Sequence, residues 1–251
     1  MIATTIETAL RSADGPAVVA YLVGGYPTPE DFKQHLITTC EVADVVEVGV
    51  PFSDPLADGL TIQNASAKVL QQGITLRDLL GLIEEVRDQL KAPIVLMSYL
   101  NPLLAFGFEN LSRRAAQVGV SGFIIPDLPE EESTPIRDAL VAHQLALIPL
   151  ITPVTPSERV KSISANARGF VYAVTRTGVT GGTSNLSEGA KRCLNNAKQA
   201  AMVPVLAGFG VRECAQVRDI STFADGVIVG SALVECIDRG ESITQFITEL
   251  R

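Results

Sequence analysis

Three carboxylates lie within or just after one apolar run, and their types and spacing suit acid–base chemistry. Glu47 stands inside VVEVGV, while Asp54 and Asp58 follow in the loop PFSDPLADG. Burying an ionised carboxylate among valines costs free energy, so Glu47 should either have a partner or carry a raised pKa. The sequence alone leaves two interpretations of Glu47: a catalytic proton carrier, or a structural residue that accepts hydrogen bonds from neighbouring strands.

The loop that carries the two aspartates is stiffened by Pro51 and Pro55, whose rings restrict the backbone φ angle. Either aspartate alone is more often a turn residue that binds local backbone N–H groups. Two carboxylates in different surroundings, one in an apolar strand and one in a wetter loop, can instead divide the acid and base roles. Glu47 and a loop aspartate are therefore a candidate catalytic pair.

The elements that must position these groups are eight short β-branched runs, each followed by an amphipathic stretch. This alternation is typical of parallel strands joined by crossover helices. We predict strands at 17–23, 45–50, 93–99, 122–127, 145–152, 169–174, 203–210 and 226–231. Eight such units in 251 residues predict an α/β fold, a single (β/α)8 TIM-barrel domain over residues 1–251, with its active site at the C-terminal ends of the strands.

An open doubly wound sheet is the alternative fold for the same alternation. It usually carries G-x-G-x-x-G after the first strand, whereas GGYPTPED stands there in this chain. The sequence therefore disfavours a dinucleotide cofactor.

Composition and charge indicate which classes of binding partner and which cellular compartment suit this chain. The formal net charge of −8 disfavours nucleic acid or an anionic membrane as a partner, since both require clustered Lys and Arg. The N-terminus lacks a secretory signal, and no stretch offers the roughly 18 uninterrupted apolar residues of a membrane span. The cysteines lie far apart without nearby histidines, which predicts buried free thiols and no metal site; they are Cys40, Cys193, Cys214 and Cys236. We expect a cytoplasmic protein.

The run PFSDPLADG followed by TIQNA resembles the signature of the tryptophan synthase alpha-subunit family, and the resemblance extends from GGYP to GSALV. It implies that Glu47 and Asp58 are the two catalytic carboxylates. The implied reaction is retro-aldol cleavage of indole-3-glycerol phosphate to indole and glyceraldehyde 3-phosphate, with no cofactor. Glu47 would move protons between the glycerol hydroxyl and indole C3, while Asp58 would accept a hydrogen bond from the indole N–H.

The same resemblance assigns substrate-binding residues. Strand ends rich in glycine allow the backbone to approach a phosphate closely, and Ser231 stands at a predicted helix start, although any one glycine could merely cap a turn. The expected phosphate contacts are Gly181, Gly210, Gly230 and Ser231. The loop 175–187 would close over the substrate and bring Thr180 to Asp58. Tyr99, Asn101 and Tyr172 would line the indole pocket, and Asp127 also matches the family.

Two places depart from the family pattern. Leu60 replaces a usual proline two residues after Asp58, which removes a φ constraint and predicts a looser active-site loop. Val23 and Gly24 stand near the barrel mouth where Thr-Ala is common.

The resemblance further implies a pyridoxal-phosphate beta subunit that receives indole, in an alpha2beta2 complex. Two alternatives use the same barrel: a stand-alone lyase that releases free indole, and a catalytically weakened barrel that serves as an allosteric partner. Retention of Glu47, Asp58 and Thr180 argues against the latter. A histidine-based phosphosugar isomerase fits less well, because His35 and His143 both fall in predicted outer helices.

Overall fold

The computed structural model describes residues 5–175, 186–208 and 210–251. Within these residues one parallel sheet runs in the order β5-β4-β3-β2-β1-β9-β8-β7-β6. Its strands are β1 Ala17–Val23, β2 Val45–Gly49, β3 Ile94–Met97, β4 Val120–Ile124, β5 Ala146–Ile148, β6 Leu150–Ile151, β7 Val171–Val174, β8 Val205–Gly208 and β9 Gly226–Val229.

The fifth predicted strand, 145–152, is divided into β5 and β6 on either side of Pro149. Proline has no backbone N–H to donate to a strand ladder, so pairing is interrupted there. β5 pairs with β4, and β6 pairs with β7. The two pieces therefore fill one position of the ring, and the predicted (β/α)8 barrel is confirmed.

Helices connect the strands and surround the barrel. They are α1 Thr5–Arg11, α2 Pro29–Val42, α3 Leu60–Gln71, α4 Leu76–Val86, α5 Leu100–Phe106, α6 Phe108–Gln117, α7 Thr134–Ala142, α8 Ser157–Ala165, α9 Glu188–Ala200, α10 Cys214–Ser221, α11 Ser231–Asp238 and α12 Ile243–Glu249, with short 3-10 segments at Arg87–Gln89 and Glu130–Glu132. Two helices, α3 and α5, follow strands whose ends carry the candidate site residues. Both extend the loops that follow β2 and β3, beside the predicted carboxylate pair.

The side chains of β1 point alternately to the two faces of the sheet, which divides the apolar core into an outer layer and an inner part. Val18 and Leu22 belong to the apolar layer between the sheet and the outer helices, whereas Val19 and Tyr21 belong to separate inner clusters. Successive side chains of a strand point to opposite faces, so every second residue of each strand faces the barrel interior. Each fully buried Val or Leu of these layers contributes about 1.5–3 kcal/mol of transfer free energy.

The N-terminal end of the barrel is covered by α1. Ile6 and Leu10 pack inside the cluster that holds Val19, Val45 and Phe170. This apolar cluster closes the N-terminal end of the barrel, so an active site is expected at the opposite end, where the strands finish.

The expectation of buried free thiols holds for three of the four cysteines. All four thiols are free; Cys40, Cys193 and Cys236 are buried, and Cys214 is half-buried. Among the described residues, no helix has the length and apolar character needed to cross a membrane.

Candidate active site

Glu47 lies in the middle of β2 with its side chain in the barrel interior, since Val46 and Val48 belong to the outer layer. Its register partners are Tyr21 on β1 and Val95 on β3. Glu47 is 1% exposed, and its Oε2 atom has no hydrogen-bond partner among the described residues. A purely structural Glu47 would accept hydrogen bonds from neighbouring strands. The Oε2 atom accepts none from the described residues.

Burial and, second, the charge of Asp58 together raise the pKa of Glu47 from its usual value to about 8. The folded protein therefore carries Glu47 mostly protonated near neutral pH. A carboxyl group in this state can deliver a proton to a substrate and then act as a base.

Asp58 lies in the loop between β2 and α3, where the side chains of Tyr99 and Gln63 bind it. The Tyr99 hydroxyl donates to Asp58 Oδ2 over 3.3 Å, and it accepts from the Ala57 N–H over 2.8 Å. The Gln63 side chain donates to the Asp58 carbonyl over 2.8 Å. Burial raises the pKa of Asp58, the hydrogen bond from Tyr99 lowers it, and the net result is a pKa of about 6. Asp58 therefore ionises before Glu47, which explains why its charge opposes ionisation of Glu47.

Asp54, Asn101 and Asp127 lie around one cavity beside the loop that carries Asp58. Asp54 is exposed and accepts from the Ser53 hydroxyl over 2.5 Å. Asp127 accepts from the Leu100 N–H over 2.9 Å at the start of α5, a capping role. Asp54, Asn101 and Asp127 line a cavity of about 470 Å³ together with Tyr99, whose hydroxyl bonds to Asp58. The other lining residues are Phe52, Leu56, Ala57 and Pro126.

Tyr172 lies on β7 with its ring in the barrel interior. A Cβ atom at Gly208 on β8 would lie 2.5–2.7 Å from atoms of this ring, so glycine makes room for it. Burial raises the pKa of Tyr172 well above its usual value, and the charges of Glu47 and Asp58 add to the increase. Tyr172 therefore lies near both carboxylates.

A second interior tyrosine was missed by the sequence analysis. A Cβ atom at Gly49 would lie 2.0 Å from the Tyr21 hydroxyl, so this ring also occupies space that a glycine leaves free. The signal that could have found Tyr21 is its place in β1, two residues after inward-facing Val19 and level with Glu47.

The described residues predicted to bind phosphate lie after β8 and β9. Gly230 is the residue before α11, and Ser231 is the first residue of that helix. Gly210 follows β8 with φ +82°, a conformation that favours glycine. The first backbone N–H groups of a helix favour an anion. Thr180 and Gly181 lie outside the described residues.

The three residues that depart from the family pattern, Leu60, Gly24 and Val23, lie in different surroundings. Leu60 is the first residue of α3, with 69% of its surface exposed. A Cβ atom at Gly24 would lie 2.6–2.7 Å from the δ carbons of Leu79, so the packing of this chain selects glycine there. Val23 is buried in the cluster that contains Tyr21.

An α/β barrel with a buried carboxyl group on an inner strand face and a second carboxyl group in the loop that follows has the arrangement of barrel enzymes, whose sites lie at the C-terminal ends of the strands. Within the described part of the chain, no three His, Cys, Asp or Glu side chains are grouped as a metal site.

Comparison with known proteins identifies the family. The family model of the tryptophan synthase alpha chain matches residues 8–250. The chain belongs to this family.

Individual relatives agree over nearly the full length. The tryptophan synthase alpha chain of Carboxydothermus hydrogenoformans is 45% identical over 231 residues, which cover 91% of this chain and 86% of the relative. That of Bacillus mycoides is 42% identical over 224 residues, covering 89% and 87%.

Solved structures are similar in fold and length. A chain of tryptophan synthase from M. tuberculosis in its aminoacrylate-bound form superposes with a TM-score of 0.88 at 34% identity, covering 99% of this chain and 98% of the other. A chain from the tryptophan synthase α2β2 complex of Pyrococcus furiosus gives 0.87 at 34% identity, covering 93% and 97%.

Proposed function

We propose that this barrel is a carbon–carbon lyase that cleaves indole-3-glycerol phosphate to indole and glyceraldehyde 3-phosphate by a retro-aldol reaction. The observation that carries the proposal is Glu47, a buried carboxyl group with a free oxygen and a raised pKa, placed near Asp58 at the open end of the barrel. No cofactor takes part, because carboxyl groups of the chain supply the proton transfers.

In the proposed reaction, Glu47 gives its proton to indole C3 and then, as a carboxylate, takes the proton of the glycerol hydroxyl on the adjacent carbon. The bond between C3 and that carbon breaks, its electron pair returns to the ring, and the oxygen becomes the aldehyde carbonyl of the product. Asp58 accepts a hydrogen bond from the indole N–H. Protonation at C3 makes this N–H more acidic, so the Asp58 anion stabilises the transition state more than the ground state.

The remaining contacts position the substrate. Gly210, Gly230 and Ser231 would hold the phosphate at the start of α11, together with Gly181, and Thr180 would close onto Asp58. Tyr99 and Tyr172 would line the indole pocket from either side of the carboxylates, with Asn101 at its outer edge.

The partner would be a tryptophan synthase beta subunit in an α2β2 complex, which carries pyridoxal phosphate and receives the indole. Support comes from the relatives and from three exposed leucines in the segments that follow β2 and β3. Leu56 is 95% exposed, Leu60 69% and Leu104 51%. Apolar side chains this exposed around a barrel mouth suit a protein interface. A cytoplasmic location fits this biosynthetic role.

The test is indole release from indole-3-glycerol phosphate by the purified chain, with and without a beta subunit, for the wild type, Glu47→Gln and Asp58→Asn. Glu132→Gln, an exposed carboxyl replacement, is the matched control. We expect slow release that the beta subunit increases, retained in the control and lost in both site variants.

Other outcomes separate the alternatives. Rapid release with no increase by the beta subunit would assign a stand-alone lyase. No release with or without the partner would overturn the catalytic proposal and leave a binding role.

A further inference from the structure

Tyr21 crosses the open end of the barrel between two parts of the proposed site. At one end, a Cβ atom at Gly230 would lie 3.7 Å from the Tyr21 Cβ and Cδ1 atoms. At the other end, a Cβ atom at Gly49 would lie 2.0 Å from the Tyr21 hydroxyl. The side chain thus runs from the start of α11, the proposed phosphate position, to β2, which carries Glu47.

No hydrogen bond joins the Tyr21 hydroxyl to another described residue; the residue is 6% exposed, and its oxygen is not among the fully buried atoms without a partner. Of the other buried tyrosines, Tyr26 bonds to Asp238 and Lys68, and Tyr99 bonds to Asp58, outside the barrel interior or at its edge. The hydroxyl of Tyr172, the other interior tyrosine, likewise has no hydrogen bond to a described residue, so the two tyrosines that face the interior share this property. A buried phenol usually finds a partner, because leaving it unpaired costs free energy. A partner for Tyr21 is therefore expected among molecules that enter the barrel.

The surroundings keep this hydroxyl a hydrogen-bond donor. Burial raises the pKa of Tyr21 well above its usual value, and the charges of Asp58 and Glu47 raise it further. The phenol holds its proton at every pH at which the two carboxylates act. Tyr21 is the register partner of Glu47 on β2, and its hydroxyl lies at Gly49, two residues further along the same strand.

We propose that the Tyr21 hydroxyl donates a hydrogen bond to the glycerol oxygen of the substrate whose proton Glu47 removes. This rests on the proposed function, in which the substrate extends from the α11 start to Asp58, along the same path as the Tyr21 ring. As the C3–carbon bond breaks, that oxygen passes its proton to Glu47 and becomes the aldehyde carbonyl. Tyr21 keeps its own proton and stabilises the negative charge that develops on the oxygen.

The test is Tyr21→Phe, which keeps the ring and removes only the donor. We expect kcat for indole formation to fall by about 10- to 100-fold, with KM changed less than about threefold, since the bond strengthens in the transition state. Tyr26→Phe is the matched control, because it removes a buried hydroxyl bonded to Asp238 and Lys68, away from the carboxylates, and should retain wild-type kcat.

A second measurement separates this role from packing. 3-(Indol-3-yl)propyl phosphate has the ring and the phosphate but lacks the glycerol hydroxyls, so its Kd should be the same for the wild type and Tyr21→Phe. Equal kcat in Tyr21→Phe and an active wild type would overturn the assignment. A Phe variant that neither folds nor binds the analogue would assign Tyr21 to packing alone and also overturn it. An inactive wild type would instead refute the proposed function.

Discussion

Replacing Glu47 with glutamine should make the folded protein more stable at alkaline pH, while it removes activity. Burial raises the pKa of Glu47 from the usual 4.5 to about 8, so the folded state binds this proton more tightly than the unfolded chain does. The stabilisation from this group is therefore fully present below pH 4.5 and is lost as the pH rises through about 8. Glutamine is neutral throughout and removes that dependence.

The magnitude follows from the shift. A tenfold change in proton affinity is worth about 1.4 kcal/mol, so ionised Glu47 costs the folded state about 5 kcal/mol. Of this, roughly 4 kcal/mol is lost between about pH 5 and about pH 9. Asp58 also has a raised pKa, but it is present in both proteins, so most of its contribution cancels in the comparison.

The assay is urea unfolding followed by circular dichroism, for the wild type and Glu47→Gln at several values across this pH range. The difference in free energy of unfolding between variant and wild type should increase by about 4 kcal/mol from the acidic to the alkaline end. Glu132→Gln, at an exposed position, should follow the wild type within about 0.5 kcal/mol. Parallel curves for Glu47→Gln and the wild type would show that Glu47 is ionised at little cost, and the reasoning from burial to a proton-donating carboxyl group would be refuted.

Three further predictions concern the surroundings of the pair. Tyr99→Phe removes a hydrogen bond that lowers the pKa of Asp58, so the acid limb of the pH profile of kcat/KM for indole formation should move to higher pH; an unmoved limb would separate Tyr99 from Asp58. Gly24→Ala should destabilise the fold by about 1–3 kcal/mol in chemical unfolding, because its Cβ meets Leu79, and Leu79→Val should recover part of that loss in the double variant; strictly additive losses would contradict the contact. Leu60→Pro should raise Tm by about 1–4 °C, because the first position of α3 accepts proline and Gly59 is extended at ψ 163°; a lower Tm would show strain there.

Most of the barrel could be predicted because parallel strands buried on both faces read as continuous apolar runs. β1 was predicted at its observed bounds, 17–23. The division at Pro149 could have been found as well, since proline cannot donate within a strand. α5 was hidden because it begins directly after Tyr99, which the predicted third strand, 93–99, had included. Its seven residues are too few for a clear helical period.

For the site, a charge in an apolar strand was a strong signal, and it led to Glu47. Residue type and spacing did not distinguish Asp54 from Asp58, since both follow a proline in one loop, and only the family resemblance assigned the catalytic role to Asp58. In the structure they differ through a contact from a distant segment, the Tyr99 hydroxyl that donates to Asp58. Tyr21 went unnoticed because a tyrosine in an apolar strand is usually packing, and its lack of a partner is visible only in three dimensions.

The covering of the barrel floor by α1 has a consequence for any shortened form of this protein. Ile6 and Leu10 are separated from β1 by a few residues only, yet they shield side chains contributed by strands from both halves of the ring. A chain that began after residue 11 would expose these side chains to water as one contiguous apolar patch. Such a patch favours self-association. We therefore expect truncation at this end to lower the solubility of the protein before it lowers the catalytic rate.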